Sequence, residues 1–93
     1  MSLIDINYEH VIKEAGRIEA LSEELRSIAG GGITDALSPV GTAWTGTGAQ
    51  EYLKRGEMLR DRLMGQANHL RSIASALRAA AVFYRDLEQT ALR

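Results

Sequence analysis

Apolar residues recur along the second half of this chain at alternating spacings of four and three. Tyr52, Gly56, Leu59, Leu63, Leu70, Ile73, Leu77, Ala80, Tyr84, Leu87 and Ala91 follow that rule, with Gln66 the one polar member. This is the 3.5-residue seam of a coiled-coil helix, held for about five heptads. Ala67, Ala74 and Ala81 form a row of small residues beside it, where a neighbouring helix can come close. The first half repeats the spacing less cleanly, through Ile4, Tyr8, Val11, Ala15, Ile18, Leu25, Ile28 and Gly32. Its opposite face carries Glu9, Lys13, Glu19, Glu23 and Arg26, so the pattern predicts an amphipathic helix with one wet side.

The breaks between these patterns divide the chain. Gly30-Gly31-Gly32 weakens the first helix, because each glycine costs about 1 kcal/mol relative to alanine. Ile33, Ala36, Leu37 and Val40 keep helical spacing beyond it, which favours a frayed or kinked continuation over an end. Pro39 disfavours a helical conformation at Ser38. Thr47 to Gln50, "TGAQ", matches a capping box and predicts a new helix start. The expected layout is one domain over 1–93, with helix 1 at about 5–38, a turn at about 39–46 and helix 2 at about 47–90. The fold class expected is all-α: an antiparallel helical hairpin. Two helices cannot surround their own core, so the hairpin is expected to dimerise into an elongated four-helix bundle. Val11, Ile18, Leu25, Ile28, Leu59, Leu63, Leu70, Ile73 and Leu77 are the expected seam of hairpin and dimer.

Composition narrows the chemistry. Ninety-three residues without cysteine exclude disulfides and thiolate metal sites. The net charge of −1 conceals an acidic first half, −4 over residues 1–46, and a basic second half, +3 over 47–93. The halves attract each other, within one hairpin or between copies. With the charge balanced and no aromatic residues interleaved, no nucleic acid partner is expected. The longest apolar stretch, "AAAVFY", falls far short of the roughly 20 residues that span a bilayer. "MSLIDINYEH" shows no basic segment followed by an apolar core, hence no cleaved signal peptide, which by itself reads as cytoplasmic. "GTAWTGTG" lacks the Lys-Ser/Thr of a phosphate loop. His10 and His69 fall on different helices, too far apart to share a metal. No hydroxyl has an evident His–acid partnership. The chain is therefore expected to be no enzyme, with no cofactor and no metal.

The single tryptophan sits among glycines, in "AWTGTGAQEY". Loop residues are ordinarily small or polar, so Trp44 is unexpected there. Folded back between the helix ends, its ring would close the end of a thin rod, with Gly46 keeping the backbone clear. About a hundred residues, two amphipathic helices and a mid-chain Trp44-Thr45-Gly46 resemble the WXG-one-hundred superfamily, relatives of the ESAT-six-type proteins. That family carries a second signature, Tyr-x-x-x-Asp/Glu, matched here by Tyr84 and Glu88 in "YRDLE". Residues four apart share a helix face, so phenol and carboxylate form one patch. With the turn centred near residue 43, helix 1 runs out opposite residues 81–82 at equal rise. A tail from 84 to 93 then overhangs, with Tyr84, Asp86 and Glu88 free.

The resemblance implies a small secreted protein, made in the cytoplasm and exported as a folded dimer by a type VII (ESX-like) system. It implies a homodimer or a heterodimer with another WXG-type protein, and recognition of Tyr84 and Glu88 beside the partner's turn by the system's membrane ATPase. Both overturn the cytoplasmic reading. The alternative is a cytosolic coiled-coil adaptor that dimerises and is never exported. No membrane binding is expected of the folded dimer, whose apolar face is already committed.

Overall fold

The computed structural model describes residues 7–43 and 45–91; Trp44 and the chain's ends lie outside them. Every element it describes is helical: α1 (Tyr8–Ser27), a π turn (Ile28–Gly32), α2 (Ile33–Ala43) and α3 (Thr47–Ala91). The first three form one continuous rod segment that α3 doubles back along. The hairpin measures 71 × 16 × 15 Å, a length that 45 residues of α3 account for at about 1.5 Å each.

Two boundaries depart from the sequence expectation. α1 starts at Tyr8, because the Asn7 side chain accepts from the His10 amide at 3.0 Å and caps the helix. At the other end the helix does not stop before Pro39 but runs through it to Ala43. A proline inside a helix forfeits one backbone hydrogen bond and crowds a carbonyl, about 3 kcal/mol. Packing against α3 carries α2 past that cost. Leu37 lies so close over Gly56 that a Cβ there would stand 2.5 Å from Leu37 Cδ2. The turn is therefore tighter than 39–46. Gly46, at φ +106°, occupies the cap position, and its carbonyl accepts from Gln50 N at 3.1 Å. Thr47 is already helical, so the cap falls one residue before the expected threonine.

The core is made of small side chains. Ala15, Ser22 and Ala29 on one strand of the hairpin and Ala67, Ala74 and Ala81 on the other are all buried, each seven residues from the next. Ser22 Oγ donates to the Ala67 carbonyl at 2.7 Å. A two-atom side chain reaching the backbone of the opposite helix means the axes lie close together. Ser22 opposite Ala67 sets the register, and seven residues further along both helices Ala15 faces Ala74.

The π turn keeps this arrangement intact across the glycines. Ile33 N donates to Ile28 O, a bond one residue wider than in an α-helix. One extra residue is thereby absorbed, rotating everything beyond it by about a quarter turn relative to an uninterrupted α-helix. Leu37, eight residues after Ala29 rather than seven, faces α3 as a result. Ile33 and Val40 stay half-buried beside it.

Candidate interaction surface

The hairpin has two unlike edges, and the rows on either side of the small residues define them. On one edge Arg78 Nη1 meets Glu19 Oε2 at 2.6 Å. Arg26 donates to Asn68 Oδ1 and lies 3.8 Å from Met64 Sδ. Arg85 Nη1 meets Glu9 Oε1 at 2.8 Å. This edge is closed by its own ion pairs.

The opposite edge is aliphatic along its whole length. Val11, Ile18 and Leu25 flank the small row of α1, and Leu63, Leu70 and Leu77 flank that of α3. Beyond them stand Leu21 and Ile28 on one side and Tyr52, Leu59, Ile73 and Leu87 on the other. The inner members other than Leu77 are half-buried, whereas Leu21, Ile28, Tyr52, Leu59 and Leu87 keep about half their surface in water. The inner members of the seam read from the sequence therefore flank the helix–helix contact of the hairpin rather than forming its centre. That contact runs through the alanines, about a fifth of a turn away around α3, and the seam's outer members are left facing outward.

Near the turn this face deepens into a groove of ≈ 450 Å³ bounded by Ile33, Leu37, Tyr52, Gly56 and Leu59, with Arg55 at its rim. Covering a fully exposed aliphatic side chain contributes roughly 1.5–3 kcal/mol. A row of half-exposed ones is a substantial driving force for association.

At the far end the register places the tail differently from the expected overhang. Long side chains on antiparallel helices both lean toward their own N-termini. Glu9 and Tyr8 on α1 and Arg85 on α3 thus reach toward one another. Tyr8 donates its hydroxyl to the Glu88 carboxylate, which together with some burial lifts the phenol pKa above its ordinary value. Glu88 is half-buried and engaged, and Asp86 accepts from Arg85 Nε at 3.3 Å. Tyr84 does stand exposed, its ring edge-on to Phe83 at 5.3 Å between centroids. Of the three tail groups, Tyr84 and Asp86 are exposed and Glu88 is half-buried.

Trp44 lies outside the described residues; of its motif the structure describes Thr45 and Gly46. His10 and His69 are exposed on separate helices. Among the described residues no group of three His, Asp or Glu is placed to hold a metal ion. No described helix is long and apolar enough to cross a membrane. Ser22 is the residue sequence reasoning missed; its heptad distance from Ala15 and Ala29 was the available signal.

The class defined by these features is a helical hairpin with one self-sealed edge and one bare apolar face. No family model, curated protein or solved structure matches the chain.

Proposed function

We propose that this chain is a non-enzymatic binding protein of the WXG-one-hundred kind. It pairs through its apolar face into a four-helix bundle and is exported folded by a type VII secretion system. The observation that carries the reading is a helical hairpin that reverses at Gly46, the glycine of Trp44-Thr45-Gly46, while an aliphatic face runs uncovered from end to end. Tyr84 and Glu88, on successive turns of α3, form the patch that the membrane ATPase reads, with the partner's turn beside it. The partner is a second copy or another WXG-type chain.

Replacing Tyr84 or Glu88 by alanine in the native bacterium tests the export step. The expected result is a folded dimer retained inside the cell; a variant dimer that reaches the medium at the normal level refutes it. The nearness of Glu88 to Tyr8 favours a second reading, because it turns half of the patch toward the chain's own first helix. On that reading the protein is a cytosolic dimerisation module whose tail serves only to lock α3 onto α1. Fractionating cells from medium separates the two.

A further inference from the structure

Gly30, Gly31 and Gly32 stand in the interior of a continuous helix, where glycine is the least favourable residue after proline. Nothing in the packing asks for them. A Cβ at Gly31 or Gly32 would meet no atom within 4 Å, and one at Gly30 would make only an ordinary contact, 3.8 Å from Met64 Cε. The sole positive φ among the described glycines belongs to Gly46, so backbone conformation does not require them either. The three glycines lie in the five-residue π turn, Ile28–Gly32, an element that recurs at functional positions and at helix kinks.

Beyond the turn, α2 is held more weakly than α1. It contains Pro39 and packs Leu37 over Gly56, beside the open groove. Among the described residues, the cross-hairpin ion pairs at Glu9 and Glu19 both fall in α1. α1, by contrast, is fastened by those pairs and by the buried Ser22–Ala67 hydrogen bond.

We propose that Gly30–Gly32 is a hinge at which the helix unwinds, so that α2 leaves α3 and opens as one segment while α1 stays docked. Opening widens the groove at Leu37, Gly56 and Leu59 and frees the turn to reorient. The stem of the hairpin keeps its register throughout. This device is independent of the export reading, since it follows from the helix interior alone.

Native-state hydrogen exchange on the full chain tests it. Backbone amides of residues 34–43 are expected to exchange through an opening more frequent than that of residues 16–27. Gly31→Ala with Gly32→Ala fills open space and should slow exchange in 34–43 by about 25-fold, about 5-fold per glycine. Leu70→Ala, in the stem, should speed exchange in 16–27 and leave 34–43 unchanged. Equal protection of the two segments in the parent chain overturns the hinge. So does a Leu70→Ala variant in which both segments accelerate together, because the hairpin would then open only as a whole.

Discussion

The Ser22 hydroxyl donates to the Ala67 carbonyl across the hairpin at 2.7 Å, in a site from which water is excluded. The contact fixes both the spacing and the register of the helices, since a longer side chain at either position would hold them apart. Ser22→Ala should cost about 1 kcal/mol, the net worth of a hydrogen bond whose loss leaves only an already paired carbonyl behind. Ser22→Leu should cost more, roughly 1–3 kcal/mol or beyond, by overpacking. Urea unfolding of the two variants checks the order. A leucine variant as stable as the parent would mean the helices are not closely apposed.

Gly46 is held at φ +106°, where a Cβ is strained although no neighbour occupies the space. Gly46→Ala should destabilise the turn by about 1–2 kcal/mol. The thermal midpoint is the readout, and an unchanged midpoint would show that the turn relaxes freely.

Ile73 and Leu77 lie on the open aliphatic face, each a little over one-third exposed. If the chain pairs through this face as proposed, placing lysine at both should abolish association while helix content in the pre-melting region stays near that of the parent. Sedimentation equilibrium reads the mass. Lysine at Arg62 and Met58, on the outer surface of α3, serves as the control and should leave the assembly intact. If the face variants associate as the parent does, the apolar face is not the dimer surface.

The Tyr8 phenol is raised above the ordinary tyrosine pKa because it donates to Glu88. A folded-state pKa above the unfolded one means the contact stabilises the fold fully below about pH 10 and is lost as pH rises through the raised value. In an absorbance titration of tyrosinate, one phenol should ionise later than the ordinary range. Glu88→Gln should bring that step back toward it, and Tyr8→Phe should remove it. A titration unaltered by Glu88→Gln would show that the two groups do not meet in solution.

Neutralising Arg85 as Arg85→Gln should weaken the far end only slightly, because its pair with Glu9 is open to solvent and screened by salt. The loss should shrink further in 1 M salt, where the Debye length is about 3 Å. A large, salt-independent effect would point to a buried role for that side chain.

Much of the fold was legible from periodicity. Helical character, the reversal near the glycines and the start of α3 follow from spacings and caps, which are local properties of the chain. Pro39 marks a boundary by its local preference alone, a few kcal/mol, and lies inside α2 because Leu37 packs on Gly56. The site was less legible. Glu88 looked free because equal rise per residue ignores the lean of Tyr8 and Glu9 toward their own N-terminus. The aliphatic seam looked like the hairpin's interior because large side chains dominate any count of apolar positions.

The alternation of four and three, the glycines and the caps settle by themselves that this chain forms two amphipathic helices joined by a short reversal. Those are decisions made within a few residues of backbone. Which row of α3 would meet α1 was decided only in three dimensions. Two helices joined by so short a turn gain most by close approach, and the rows of alanine and serine permit it where leucine does not. Closing on the small rows leaves the large ones outside, and the bare face that carries the proposed function is the consequence.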